Sequence, residues 1–294
     1  MSFSSSIKNQ LCSLKDINTC CYHAQSYGLL LFSHFSKLNL SISTENENIF
    51  NLYCSCLRDY CGVNPVINQV NKKKLTAYVN NKDDQIKIFK RFSHGYGERT
   101  LRINSVNMQQ ECCVNAFLRG AFLACGSVTE PERGYHLEFV VPYKHLSDDL
   151  VTIFNELELK PKTVMRKGNN VIYFKDSESI EDFLALIGAD DASLYLMNVK
   201  IEKDVKNAVN RRLNFELSNF NKTLAAANEQ YDAIMCLKLK GKLDLLPDGL
   251  KELAVLRLEN PEATLNEINN MLSVPLSKSG VNHRFSRLIQ LSKE

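Results

Sequence analysis

Apolar residues recur at helical spacing in three short segments near the end of the chain, over residues 248–258, 264–273 and 277–294. Each segment has its apolar residues on one side of a helix and its polar residues on the other. The apolar positions are Leu250, Leu253, Ala254, Leu258, Leu265, Ile268, Leu272, Val281, Phe285, Leu288 and Ile289. The pattern predicts three helices that pack through these positions, with a short turn at 273–276 between the last two.

Signals for helix starts lie on both sides of the predicted turn. Thr264 and Glu267 form a capping-box pattern at the start of the second helix, and Ser277 or Ser279 can cap the third. Pro275 cannot continue the second helix. The turn contains no glycine, and the proline makes it stiffer than the usual turn between two such helices.

The polar face of the third helix is basic, and no acidic residue occurs between Ser273 and Lys293. A helix that docks by an apolar face and presents such a polar face suits the DNA major groove. The alternative is a solvated basic helix at a chain end, but two preceding helices at helix-turn-helix spacing favour nucleic acid. The predicted DNA-binding residues are Thr264, Ser277, Lys278, Ser279, Asn282, His283, Arg284 and Arg287.

The first two thirds of the chain contain an internal repeat. A shift of 92 residues superposes Cys20-Cys21 on Cys112-Cys113, Ala24 on Ala116 and Gly28 on Gly120. Each copy has the pattern helix–strand–helix–strand–strand–helix, with alternation at Leu38–Ser43 and Tyr135–Val141. We therefore expect two duplicated units side by side, forming a pseudo-twofold domain whose sheets make a saddle. The two glycines lower the helix propensity of the leading helices. Close packing of these two helices against each other would offset that cost.

Residues 194–246 are predicted to be helical and polar, and residues 210–222 concentrate asparagine and arginine. Asparagine is a poor former of helix interiors. Two interpretations remain open, a broken helical connector and a second surface that contacts phosphates. The residues that would make these secondary DNA contacts are Asn210, Arg211, Arg212, Asn214, Asn221 and Lys222.

Composition limits the partners. The net charge of +3 is small, so affinity for nucleic acid has to come from local patches. No run approaches the ~18 apolar residues of a membrane span, and the polar start MSFSSSIKNQL lacks a signal-peptide core. We expect a cytoplasmic, nucleoid-associated protein with no membrane partner, no small-molecule substrate and no cofactor.

Ten cysteines are expected to be reduced thiols in such a compartment. They include no C-x-x-C pair, which argues against structural zinc. Cys54 and Cys56 lie among apolar residues, as small core side chains do. The six histidines show no arrangement that would activate a cysteine nucleophile. The sequence therefore predicts no metal site.

Several strings in the same order resemble the WhiA family, bacterial DNA-binding regulators of sporulation and cell division. They are MSFSSSIKNQL, FLRGAFLACGSVTEPERGYHLE (117–138), FLALIGA (183–189), NRRLNFELSNFNKTLAAA (210–227), LRLENPEATLNEI (256–268) and SKSGVNHRFSRL (277–288). The resemblance implies an α+β fold, in which a duplicated LAGLIDADG-like αββαββα saddle precedes an all-α helix-turn-helix domain. The expected domains are a first half with its leading helix (1–92), a second half (93–190), a helical connector (191–243) and the helix-turn-helix domain (244–294).

In LAGLIDADG homing endonucleases the leading helix of each unit ends with an acid, and the two acids bind a divalent metal for DNA cleavage. The resemblance places Ser33 and Cys125 at these positions, and neither is the hard anionic ligand that magnesium needs. It implies a catalytically inactive scaffold in a regulator of transcription, cell division and chromosome segregation. The alternatives are an active metal-dependent endonuclease and a protein-interaction module. Besides double-stranded DNA, the candidate partners are RNA polymerase and a companion regulator.

Overall fold

The chain divides into two compact units, residues 1–203 and 204–294, in the computed structural model. The structure describes residues 2–14, 18–36, 39–71, 74–96, 98 and 100–294. Both copies of the repeat lie in the first unit, and the three terminal helices lie in the second. The finer domain boundaries given by the sequence stay predictions.

The first copy follows a short leading helix, α1 (Phe3–Cys12), which buries Ile7 and Leu11. The helices of this copy are α2 (Thr19–Phe32), α3 (Glu47–Ser55) and α4 (Lys82–Arg91), and its strands are β1 (His34–Ser36), β2 (Asn39–Thr44), β3 (Val66–Asn71) and β4 (Lys74–Tyr78). A π-helical turn over Cys56–Tyr60 extends α3. The strands form one antiparallel sheet in the order β1-β2-β4-β3.

The second copy repeats this order. Its helices are α5 (Glu111–Cys125), α6 (Lys144–Glu156) and α7 (Ser177–Leu186), and its strands are β5 (Gly126–Val128), β6 (Leu137–Val141), β7 (Lys162–Arg166) and β8 (Asn169–Phe174). They form a second antiparallel sheet in the order β5-β6-β8-β7. Each copy is therefore αββαββα, which confirms the duplicated fold.

The hydrophobic pattern missed the first strand of each copy. Strands β1 and β5 contain three residues each, too few to show alternation, and pairing with β2 and β6 holds them in place. Leu38, the predicted start of the next strand, lies outside the described residues. On β6 the predicted alternation is confirmed, since Leu137, Phe139 and Val141 are buried.

Helices α2 and α5 pack against each other through the two matched glycines. A Cβ atom at Gly28 would lie 2.2 Å from the carbonyl oxygen of Phe117, and one at Gly120 would lie 2.2 Å from that of Gln25. Both clashes are with backbone, which cannot rotate away. The close approach predicted from the glycine offset is therefore present.

The same pseudosymmetry brings two cysteine pairs together, Cys20-Cys21 in the first turn of α2 and Cys112-Cys113 in the first turn of α5. Their four Sγ atoms all lie within 4.8 Å of one another. The sequence argument against a metal site rested on the missing C-x-x-C pair and does not hold for these residues. Rules based on C-x-x-C spacing consider only cysteines that are close along the chain, whereas these two pairs come together only when the two halves of the domain pack.

Helix α8 (Asp190–Leu239) begins in the first unit and ends in the second. It runs without a break through the asparagine-rich segment, so the interpretation of residues 210–222 as a broken helix is wrong. The helix contains neither glycine nor proline, and residues 204–223 are exposed, so water can satisfy the amide side chains. Arg212 donates from Nε to Glu216 Oε1 at 2.9 Å, one turn along the helix.

In the second unit, α9 (Asp248–Glu259), α10 (Leu265–Met271) and α11 (Lys278–Lys293) pack with the end of α8. The core of this unit consists of Ile234, Leu237, Leu253, Ala254, Ile268, Leu272, Val281, Phe285 and Leu288. The predicted stripe of α11 is confirmed at three positions, while Ile289 is half-buried. Within the described parts of the chain, no helix has the length and hydropathy of a membrane span.

Candidate nucleic-acid interface

The start signals of α10 and α11 are formed as the sequence predicts. Thr264 Oγ1 accepts from the Glu267 backbone N–H at 3.3 Å, and Glu267 Oε2 accepts from the Thr264 backbone N–H at 2.7 Å, which completes the capping box. Of the two serines that could cap α11, the structure uses Ser277, whose Oγ accepts from the Gly280 N–H at 3.1 Å.

The turn between α10 and α11 is held by side chains in place of a glycine. Asn269 Nδ2 donates to the Leu276 carbonyl oxygen, and Asn269 Oδ1 accepts from the Leu276 N–H, both at 2.8 Å. One asparagine thus satisfies both backbone groups of the residue that ends the turn.

Helix α9 is attached to the same turn. Glu252 Oε1 accepts from the Ser273 N–H at 2.7 Å and from its Oγ at 2.6 Å. These hydrogen bonds, first from the side chain and then from the backbone of Ser273, hold the pKa of the Glu252 carboxyl below its ordinary value. A lowered folded-state pKa means that the contact contributes at neutral pH and is lost as pH falls through that pKa.

The exposed face of α11 carries most of the predicted DNA-binding residues. Lys278, Ser279, Asn282, His283 and Arg287 are exposed there, and Ser277 and Thr264 are exposed at the starts of α11 and α10. Sequence reasoning missed Ser286 and Gln290, which are exposed on the same helix. Their spacing, four after Asn282 and three after Arg287, was the available signal.

The structure does not place Arg284 with this set. Its side chain is half-buried, and Nη1 donates to the Gly249 carbonyl oxygen at 3.1 Å, at the start of α9. Gly249 has no side chain, and a Cβ atom there would lie 2.9 Å from Arg284 Nη1. Arg284 therefore holds α11 against α9 and does not lie with the exposed set, and its predicted contact with DNA stays a prediction.

A second arginine with a structural role, Arg257, was missed entirely. It is 1% exposed, and its Nη1 donates to the carbonyl oxygens of Asn260, Pro261 and Ala263 at 3.3, 3.4 and 2.5 Å. Its guanidinium lies over the Phe285 ring, 5.1 Å from the centroid. Arg257 thus connects the loop before α10 to α11. Its position three residues after Ala254, on the buried face of α9, was the available signal.

Some of the predicted primary and secondary contacts share one cavity in the second unit. Lys222, Thr264, Asn266 and Lys278 line a cavity of about 400 Å³. Asn210 lies twelve residues before Lys222 on α8, about 18 Å along the helix axis. The structure therefore brings Lys222 to the start of α10, while Asn210, Arg211, Arg212 and Asn214 lie on the exposed stretch of α8.

Ser33 and Cys125, which the resemblance gives as former metal positions, lie together in the first unit. Ser33 and Cys125 line a cavity of about 340 Å³, and the described residues around it include no carboxylate. Ser33 Oγ donates to the Leu29 carbonyl oxygen at 2.7 Å, and Cys125 Sγ donates to that of Ala121 at 3.4 Å. Burial raises the pKa of Cys125 to about 12, so its thiol is neutral at physiological pH. Both side chains act as hydrogen-bond donors to their own helices.

Lys8 and Glu138 of the first unit are engaged by other groups. Lys8 Nζ donates to the Leu123 carbonyl oxygen at 3.2 Å and lies 5.5 Å from the Phe122 ring centroid, which adds a donor beside the end of α5. Glu138 on β6 accepts from His136 Nε2 at 3.1 Å and from Arg166 Nη1 at 3.4 Å. Its carboxylate is therefore engaged within the second sheet.

The fold and these sites define a protein in which a LAGLIDADG-like domain precedes a helix-turn-helix domain. Residues 114–206 match the family model of the WhiA LAGLIDADG-like domain, and residues 209–292 match that of the WhiA C-terminal HTH domain. The probable cell division protein WhiA of Alkaliphilus metalliredigens is 35% identical over 99% of this chain and 98% of its own length. That of Clostridium novyi is 35% identical over 100% and 98%. The chain belongs to the WhiA family.

A solved structure has the same fold. Full-length DUF199/WhiA from Thermatoga maritima matches with a TM-score of 0.57 at 22% identity, over 100% of this chain and 98% of that one. At this identity the likeness concerns the fold, which agrees with the two-part architecture described above.

Proposed function

We propose that the chain is a sequence-specific DNA-binding regulator of transcription that acts in cell division and chromosome segregation. The observation that carries the proposal is the exposed, acid-free face of α11, supported on the packed core of α9, α10 and α11. The relatives named above are called probable cell division proteins, which supports the cellular process.

In this proposal α11 enters the major groove by its N-terminal half. Lys278, Ser279 and Asn282 lie nearest the end that meets base edges in helix-turn-helix proteins. Arg287 lies further along and would contact a phosphate, and Lys222 and Thr264 would add contacts at the start of α10. Phosphate contacts supply affinity for all sequences, and the base contacts supply preference.

Asn282→Ala and Arg287→Ala should have different effects on DNA binding. Loss of an asparagine that pairs bidentately with adenine should relax the preference at one position by about 1–3 kcal/mol. Loss of a phosphate contact should weaken binding to every sequence and reduce the salt slope by about one. The measurement is a titration of each variant with specific and random duplexes at several salt concentrations.

Asn270→Ala, which changes an exposed asparagine on α10, is the matched control and should bind like the parent. Neither Asn282 nor Arg287 belongs to the buried core, so both variants should keep the parent's thermal stability. If both also bind all duplexes like the parent, α11 is not the reading helix.

We further propose that the LAGLIDADG-like domain is not a nuclease, because Ser33 and Cys125 offer hydroxyl and thiol donors where a metal needs carboxylates. Supercoiled and target DNA incubated with the full chain and Mg²⁺ or Mn²⁺ should be cleaved no faster than in chelator. The Ser33→Ala/Cys125→Ala double variant should behave identically. Metal-dependent cleavage by the parent that this double variant loses would show that the scaffold is active.

A further inference from the structure

The four-cysteine cluster, Cys20, Cys21, Cys112 and Cys113, has the composition and spacing of a metal site. The Sγ atoms of Cys20 and Cys21 are 4.0 Å apart, and all four lie within 4.8 Å of one another. Four thiolates at about 2.3 Å from one zinc ion, in tetrahedral geometry, lie about 3.8 Å from each other. Small side-chain rotations would therefore close the cluster around a single ion. An iron–sulfur cluster, whose own sulfides fill the centre, needs a wider spacing.

The surroundings of the cluster suit an anionic complex. It lies at the N-terminal ends of α2 and α5, where helix dipoles favour negative charge. In this described region the N-cap residues Asn18 and Gln110 make no side-chain cap hydrogen bond, and in the first turn of α5 the Cys113 N–H donates to the Gln110 carbonyl oxygen at 2.9 Å. The first turns of two helices thus carry the four sulfurs.

A second-sphere partner and an entry path are also present. Gln110 Oε1 accepts from Cys20 Sγ at 3.8 Å and from Cys112 Sγ at 3.6 Å. Rotation of the same amide would let it donate N–H to a thiolate sulfur. Cys20 and Cys112 are exposed whereas Cys21 and Cys113 are buried, so an ion can enter from the surface and be held from inside.

We propose that these four cysteines bind one zinc ion in a structural, tetrathiolate site that joins the two halves of the LAGLIDADG-like domain. Four thiols lose four protons to solvent as Zn²⁺ binds, and the complex carries a net charge of −2. All four coordination positions come from protein sulfur, which is the closed arrangement of structural zinc. The ion links the starts of α2 and α5, so its binding free energy adds to the stability of the folded domain.

The test uses the full chain, reduced, loaded with zinc and freed of excess metal by gel filtration. Elemental analysis should find about one zinc per chain. Titration with Co²⁺ in place of zinc should give intense sulfur-to-metal charge-transfer bands and the visible spectrum of tetrahedral cobalt. The Cys20→Ser/Cys112→Ser double variant, which changes only exposed positions, should lose the zinc and both cobalt signals. Cys236→Ser, at a half-buried cysteine of the second unit, should keep them.

Thermal melting separates metal loss from misfolding. A chelator should lower the melting temperature of the parent and of Cys236→Ser, and should leave that of the double variant unchanged. A metal-free parent whose four cysteines appear as two disulfides by mass spectrometry would overturn the proposal. A double variant that melts cooperatively and binds zinc like the parent would also overturn it. So would a parent protein that, after purification from metal-replete cells, contains iron in place of zinc.

Discussion

Replacing Gly120 with alanine should destabilise the first unit by at least about 3 kcal/mol, at or beyond the upper end of ordinary overpacking. The added methyl would lie 2.2 Å from the Gln25 carbonyl oxygen and 2.7 Å from the Leu29 nitrogen. Relief requires α2 and α5 to separate, and their contact is the centre of the pseudo-twofold domain. Since a domain is stable by only about 5–15 kcal/mol, this is a large share. The measurements are urea denaturation of the full chain and hydrogen exchange of α2 and α5.

The matched control is the same substitution at Gly280, inside α11. There the new methyl would lie 3.4 Å from Ser277 Oγ and 3.5 Å from Leu276 Cβ, which is ordinary contact. Alanine should then stabilise the helix by up to about 1 kcal/mol. The two glycine-to-alanine changes should therefore alter the free energy of unfolding in opposite directions, which distinguishes the effect of helix packing from that of helix propensity. A Gly120→Ala protein as stable as the parent would show that the two helices are further apart in solution.

Replacing Arg257 with methionine should destabilise the second unit by about 3 kcal/mol and weaken DNA binding as a result. The change removes one charged nitrogen whose two N–H groups are shared among three carbonyl oxygens, and a hydrogen bond to a charged group contributes about 1.5–3 kcal/mol. It also removes the cation over Phe285, which lies in the core of the helix-turn-helix unit. Hydrogen exchange of α9, α10 and α11 should speed up, and a duplex titration should show a uniform loss of affinity.

Arg212→Met is the control for the stability part of this prediction, because Arg212 is exposed and, among the residues that the structure describes, its ion pair is with Glu216 one turn away. Its effect on stability should stay within about 0.5 kcal/mol. Arg257→Lys should recover part of the loss, since an ammonium can donate to carbonyls but does not cover the ring as a guanidinium does. An Arg257→Met protein with parental exchange rates would refute the structural role.

The sequence predicted features that depend on neighbours along the chain. The capping box of Thr264 and Glu267 and the buried stripe of Val281, Phe285 and Leu288 follow from spacings of three and four residues, and both are present. The offset between Gly28 and Gly120 predicted the close packing of two helices, because a residue without a side chain at the same position of both helices lets their backbones approach. The three-residue strands β1 and β5 are too short to carry such a pattern.

The arrangement of the candidate site was predicted only in part, because sequence spacing describes neighbours along one helix and not contacts between helices. Exposure of Asn282 and Arg287 follows from the helical period. The period cannot show that a long side chain bends back to another helix, as Arg284 does to Gly249. Arg284 and Arg287 lie three residues apart on one helix, and their partners differ because α9 packs beside only one of them.

The amino-acid sequence by itself determined the duplicated unit, the helix-turn-helix segment and the absence of acids at Ser33 and Cys125, since all three are properties of order and spacing. The tertiary structure alone decided which polar groups are engaged. Arg257 meets three carbonyls of the next loop, and the two cysteine pairs meet across 92 residues. Packing, directed by apolar surface, brings such groups together at distances that no local pattern encodes.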